Sequence, residues 1–338
     1  MNNPASPVPV PSPAPVPSEG FSFFAVAVPL WGVLLGAAVL ACGCLLAFLL
    51  LRRKLPKTSC PSSPGKVEQV RVGKLHQQGA REGQQDCFGV SDESLVPTHG
   101  LLAVVADGMG GLSGGERISQ LVVQAVLDAF LSAWKEENPQ RLLLVLAQQA
   151  VEEVNRYLGP EGLRESGSTL VMALLRQGSL TFLSVGDSRV SLYRRGALTQ
   201  LNREHIYRRE LALRGVNGEM PLEEAYTSSQ GAGLTSFLGM GRLAHIDFPD
   251  APLSLLPGDK LVLMSDGVYN ALTDQELALA MEQPPEEAAQ AIGRAIEEKN
   301  YQNQDNYTAV ILGCEGPPPP RISPRRGNTV DFIRMLHR

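Results

Sequence analysis

Two kinds of hydrophobic pattern divide the chain. Between Glu19 and Arg52 no charged residue occurs, and Phe21 to Leu51 is rich in Leu, Ala, Val, Phe and Gly. As a helix this run extends about 46 Å at about 1.5 Å per residue, against roughly 30 Å of hydrocarbon, so it predicts a transmembrane helix over 21–51. A secretory signal peptide would have a basic start and a shorter apolar core, and neither is present. From Val67 onward the pattern changes to short β-type runs alternating with helical spacing. Strands are predicted at Leu101–Ala106, Ser168–Leu175, Leu180–Val185, Arg189–Tyr193 and Lys260–Met264, with Asn306–Leu312 closing a sheet. Apolar residues recur at helical intervals in Gly115–Trp134, Arg141–Leu158, Thr273–Met281 and Pro285–Glu298. Tight connections at Arg176–Ser179 and Arg194–Gly196 imply antiparallel pairing, which favours an α+β or layered sandwich over a doubly wound parallel sheet.

The flanks set the organisation. Residues 1–20 are Pro-rich and contain no Lys or Arg, whereas Arg52, Arg53, Lys54 and Lys57 follow the apolar run. The first segment reads as a disordered tail. The basic flank at 52–66 reads as a juxtamembrane linker that places residues 67–314 on the cytoplasmic side. Residues 315–338 are Pro-rich, then Arg-rich, and end with Phe332, Ile333, Met335 and Leu336; they read as a disordered terminus. The expectation is a single-pass protein of the cytoplasmic membrane carrying one globular domain.

Charge and cysteine content narrow the chemistry. A formal net charge of -5 argues against a nucleic-acid partner. The five cysteines, at 42, 44, 60, 87 and 314, show no CxxC spacing, so neither a zinc site nor a disulfide framework is indicated.

The chemical signal is a recurrence of aspartates at the ends of apolar strands. Asp107 follows LLAVVA and precedes Gly-Met-Gly-Gly, Asp187 follows LTFLSVG, Asp266 follows KLVLMS, and Asp305 precedes NYTAVIL. Taken singly, an Asp-Gly pair is more often a turn than a ligand. Strand ends that converge on one edge gather several carboxylates, and that much like charge requires cations. Hard oxygen donors select magnesium or manganese over zinc. The glycines beside Asp107 allow close approach, so the Gly108 carbonyl is a further candidate ligand. Neither a calcium loop, a Walker loop nor a GxGxxG turn has its required spacing here. Upstream, Arg81 precedes Asp86 by five residues in a loop-like Gly/Gln stretch. It is either a surface ion pair of little energetic weight or a guanidinium poised to grip phosphate.

The order of these motifs resembles the type-2C, or PPM, family of metal-dependent protein phosphatases, particularly its bacterial members. The matching elements are RxxxQD at 81–86, ADGMGG at 106–111, GSTL at 167–170, VGDSR at 185–189, LTSFLG at 234–239, SDG at 265–267 and QDNYTAV at 304–310. The resemblance implies a four-layer α-β-β-α sandwich, two antiparallel sheets flanked by helices, with two manganese or magnesium ions at one end. It implies that Asp107 bridges the metals, that Asp266 and Asp305 complete the first, and that the Gly108 carbonyl helps hold the second. Asp86 would act through bound waters, Asp187 with Asp266 would hold a third, weaker metal, and Arg81 would bind the substrate phosphate. It further implies hydrolysis of phosphoserine or phosphothreonine in proteins by a metal-activated water attacking in line, with no covalent phosphoenzyme. Two departures are Gln85, where some animal relatives have an acid, and Met109, where they have a His proposed as the proton donor. Residues 203–235 fall where the family has a variable flap. Phosphoprotein substrates and an opposing serine/threonine kinase are the expected partners. A membrane-tethered pseudophosphatase and a small-molecule phosphomonoesterase are the alternatives; the complete carboxylate set disfavours the former.

Overall fold

The computed structural model describes residues 67–110, 114–133 and 136–317. The expected Pro-rich tail, transmembrane helix 21–51, basic linker up to residue 66 and most of the C-terminal tail lie outside the described residues. No described helix is long and apolar enough to cross a membrane.

In chain order, the elements begin with strands β1 (Gln69–Gln77), β2 (Asp86–Val90) and β3 (Leu101–Met109), followed by helices α1 (Gly114–Ser132) and α2 (Pro139–Gly162). Strands β4 (Gly167–Ser168), β5 (Leu170–Arg176), β6 (Ser179–Val185), β7 (Arg189–Arg194) and β8 (Ala197–Gln200) come next. Helices α3 (Tyr207–Val216) and α4 (Leu222–Thr227) precede β9 (Leu253–Ser254), β10 (Lys260–Met264), α5 (Asp266–Tyr269), α6 (Asp274–Ala280), α7 (Pro285–Lys299) and β11 (Tyr307–Glu315). All named strand pairs are antiparallel, in one sheet ordered β1-β11-β10-β7-β8 and a second ordered β2-β3-β5-β6-β9, with β4 added to β3.

The near-continuous apolar runs have a simple origin: these strands are covered on both faces. Along β3, Leu101, Ala103 and Val105 meet Val190, Leu261, Leu263 and Val310 between the sheets. Their neighbours Leu102, Val104 and Ala106 face the other way, onto Ile118, Phe130 and Leu146 of α1 and α2. On the far side, Val262 and Ile311 pack on Leu277, Ile292 and Ile296 of α6 and α7. The result is the expected helix-sheet-sheet-helix layering, with each fully buried aliphatic side chain contributing about 1.5–3 kcal/mol. Helix ends follow local chemistry: Asn138 caps α2 by accepting from the Gln140 and Arg141 N–H groups, and Thr273 with Glu276 forms a capping box on α6.

Two details differ from the expectation. β11 does not close its sheet; it lies inside, with β1 paired outside it from Gln69↔Glu315 to Gln77↔Tyr307. The predicted strand 168–175 is interrupted at Thr169, whose hydroxyl accepts from the Asp107 N–H at 3.0 Å. In agreement with the helical spacing that ends at Leu158, α2 breaks at Gly159, where φ is 64°, ahead of Pro160. The segment expected as a flap folds into α3, α4 and a 3-10 turn at Ser229–Ala232.

Candidate active site

The strands deliver their aspartates to one end of the sandwich. In the β2/β3 ladder, Asp86 is the direct partner of Asp107. Asp187 follows β6, Asp266 opens α5 after β10, and Asp305 lies two residues before β11. A cavity of about 380 Å3 is lined by Arg81, Asp107, Gly108, Asp187, Asp266 and Asp305 among others. Asp86 is buried at the back, only 4% exposed, outside that lining.

Backbone geometry at Gly108 is dictated by packing. A Cβ there would sit 2.1 Å from the Gly115 carbonyl oxygen and 2.7 Å from that of Gln85, so any side chain would collide with backbone. Glycine therefore lets β3 run directly beneath the start of α1 and holds the Asp107 carboxyl at the cavity floor.

A hydrogen-bonded frame fixes the carboxylates. Ser265 Oγ donates to Asp86 Oδ2 at 2.6 Å and accepts from the Thr308 N–H at 3.0 Å. Thr169 Oγ1 also bonds the Ser188 hydroxyl at 2.8 Å, linking the Asp107 and Asp187 segments. Asn306 ties the entry loop down: its Nδ2 donates to the Gln78 and Gly83 carbonyls, and its Oδ1 accepts from the Gln85 N–H at 2.7 Å. Tyr269 Oη donates to the Asp187 carbonyl at 3.2 Å, while the Arg189 guanidinium lies 3.6 Å over the Tyr269 ring. Sequence reading quoted Thr169, Ser265 and Asn306 inside motifs without giving them a role, and it missed Tyr269. Their partners are distant in sequence, and only the recurrence of small polar residues beside each aspartate hinted at support.

Arg81 stands at the mouth. Its guanidinium donates to Asp305 Oδ2 at 2.6 Å, so the ion pair that forms is with a carboxylate of the cavity rather than with Asp86. The arginine side chain remains 58% exposed and keeps donors available toward solvent.

The electrostatics are those of crowded acids. Burial, then Asp86 and the other carboxylates, push the Asp107 carboxyl well above its ordinary range. Burial lifts Asp86 to about 6 against the opposing hydrogen bond from Ser265, and burial with Asp266 lifts Asp187 to about 7. Asp266 is raised by burial and by Asp305. Among the described residues no three His, Cys, Asp or Glu side chains are drawn into a preformed metal cage. The donor set nonetheless fits hard divalent cations. Every group is an oxygen, the acids are destabilised by one another's charge, and Asp86 Oδ1 is buried without a hydrogen-bond partner.

Comparison with known proteins agrees with this arrangement. A sequence profile described as protein phosphatase 2C matches residues 73–304. The chain is 28% identical over 219 residues to a serine/threonine phosphatase, stp, of Listeria monocytogenes, covering 62% of this chain and 83% of that protein. Its fold is similar to the PPM Ser-Thr phosphatase MsPP of Mycobacterium smegmatis in complex with cacodylate, with a TM-score of 0.57 at 27% identity, covering 72% of this chain and 97% of the other. It is also similar in fold to the catalytic domain of the serine/threonine protein phosphatase PstP in complex with two manganese ions, with a TM-score of 0.58 at 23% identity over 72% and 97% of the two chains. The matched profile spans more than half of the 338 residues and takes in Arg81, Asp107, Asp187 and Asp266 of the cavity, with Asp305 one residue past its end; the chain belongs to the protein phosphatase 2C family.

Proposed function

We propose that this protein hydrolyses phosphoserine and phosphothreonine in proteins, at the cavity framed by β2, β3, β6, β10 and β11. The observation that carries the reading is the convergence of five aspartates and one arginine at the strand ends of a protein phosphatase 2C domain. Asp107, Asp266 and Asp305, with the Gly108 carbonyl, would hold two manganese or magnesium ions, and Asp86 would act through intervening water. Asp187 with Asp266 would form a weaker third position. Bound there, divalent ions supply charge neutralisation and a water acidic enough to attack phosphorus.

The chain's own groups do the remaining work. Arg81 offers the substrate phosphate a second, solvent-facing set of donors while Asp305 orients the guanidinium, which places the phosphoryl group at the mouth. Burial and mutual repulsion disfavour the ionised forms of Asp86 and Asp107, so these two groups would gain most from cations held beside them, whose positive charge would then face the transferring group. Met109 lines the cavity and carries no titratable group, so the proton for the leaving serine oxygen does not come from that position.

The apolar, uncharged run 21–51 and the basic cluster Arg52–Lys57 support a membrane anchor with the catalytic domain on the cytoplasmic side, opposing a serine/threonine kinase there. The catalytic reading is tested by Asp107→Asn and Asp266→Asn, each expected to remove nearly all phosphopeptide hydrolysis while far-UV and near-UV dichroism stay native. A near-normal rate in either variant refutes it.

A further inference from the structure

Beside the catalytic cavity lies a second pocket of about 410 Å3, whose lining includes Arg203, Ile206, Arg208, Arg209 and Tyr226. Its setting is unusual for its charge. Residues 67–317 hold 20 Lys and Arg against 33 Asp and Glu, so the domain is strongly acidic. Three arginines nevertheless line it, and none of them forms an ion pair among the described residues. Glu204, the one carboxylate of the lining, is committed to Arg189 at 2.5 Å. Unneutralised arginines in an acidic domain attract an anion, and their planar forks suit a carboxylate or a phosphate.

The pocket is joined to the active site by one short piece of backbone. Ile206, which lines the arginine pocket, is bridged antiparallel to Leu234, which lines the catalytic cavity. Hydrogen bonds from the Tyr207 N–H to Gly233 and from the Thr235 N–H to His205, both 2.8 Å, make that wall rigid. A peptide whose phosphorylated residue enters the catalytic cavity can therefore cross the 206/234 wall into the arginine pocket. In the arginine pocket α4 exposes Tyr226, at 62%, which offers apolar contact to the same chain.

We propose that this pocket is a second anion-binding subsite, reading an acidic or phosphorylated side chain that flanks the scissile phosphoresidue of the substrate. The proposal rests on the phosphatase reading above and adds to it a preference for acidic or multiply phosphorylated sequences. Arg203, Arg208 and Arg209 would act on substrate affinity rather than on the hydrolytic step, because they line no part of the catalytic cavity.

The test uses the full-length protein and three phosphothreonine peptides, with neutral flanks, glutamate flanks or a second phosphoserine. Para-nitrophenyl phosphate is included as a substrate too small to reach the pocket. The expected result is a KM about fivefold or more lower for at least one anionic peptide than for the neutral one, as a few solvent-facing ion pairs provide. The glutamate and phosphoserine arms show which anion is read, and a preference in either supports the proposal. The preference should vanish in R208Q/R209Q and reverse in R209E, with para-nitrophenyl phosphate kinetics unchanged. Equal KM for all three peptides overturns the proposal, as does an R208Q/R209Q variant that slows para-nitrophenyl phosphate as much as peptide. Arginine-dependent binding to phosphatidylserine vesicles without any peptide preference would assign the pocket to lipid and also overturn it. Failure to hydrolyse any phosphopeptide removes the phosphatase reading and this proposal with it, a result distinct from hydrolysis without preference.

Discussion

Replacing Asp187 by Asn should stabilise the metal-free protein at alkaline pH. Burial, and the neighbouring Asp266, raise the Asp187 carboxyl from 3.8 to about 7. At about 1.4 kcal/mol per unit, keeping this group ionised in the folded protein costs on the order of 4 kcal/mol. The direction with pH follows from proton counts. Between about pH 4 and 7 the folded state holds a proton at Asp187 that the unfolded state has released, so stability falls as pH rises through this window and levels off above it. Asn carries no charge and removes that loss. In chelator at pH 8, Asp187→Asn should melt at least about 5 °C above the parent, since about 1 kcal/mol moves the Tm of a domain this size by roughly 2–4 °C. At pH 4 the two proteins should melt together, and saturating manganese should narrow the alkaline gap by neutralising the aspartate. Differential scanning calorimetry across pH 4–8, with and without manganese, measures all three. A variant no more stable than its parent at pH 8 without metal would refute the claim that the carboxylates are held together against their own repulsion.

Gly108→Ala should cost on the order of 3 kcal/mol, because the new methyl meets the Gly115 carbonyl and the start of α1 must move; urea unfolding measures it, and an unchanged midpoint contradicts the packing argument. Arg81→Ala should raise KM for phosphopeptides and lower kcat, together about 10-fold or more in kcat/KM, with Arg81→Lys recovering only part because an ammonium lacks the fork. Steady-state kinetics of both variants decide this, and unchanged constants would reduce Arg81 to a structural partner of Asp305.

Much of this architecture was legible because the central strands are buried on two faces. LLAVVA, LTFLSV and KLVLM have no alternation to obscure them, and the aspartate that ends each run stands out for that reason. β1 was not legible. Its sequence QVRVGKLHQ mixes charge with apolar residues, since it is an edge strand with one side toward solvent. Gly73 breaks its pattern further because α7 crosses there: a Cβ would lie 1.9 Å from the Pro285 carbonyl oxygen. Missing β1 is what made β11 look like the edge.

In the site, aspartates could be read from their position in each motif, but their supports could not. Ser265 reaches Asp86 across 179 residues, and Asn306 reaches Gln78 across 228. Such bonds depend on which strands become neighbours, a non-local outcome that no spacing encodes. Arg81 shows the same limit. A partner five residues away was the local expectation, whereas the sandwich brings it Asp305 from the other end of the domain. The arginine pocket beside the flap was likewise invisible, because Tyr226 joins Arg203, Arg208 and Arg209 only once α3 and α4 have folded.

The most direct test of the central claim is phosphothreonine-peptide hydrolysis by the full-length protein after exhaustive chelation, followed by titration with manganese and magnesium. The account predicts loss of essentially all turnover in chelator and its saturable return with either ion in the parent, with no return in Asp107→Asn. Undiminished hydrolysis in chelator would contradict it.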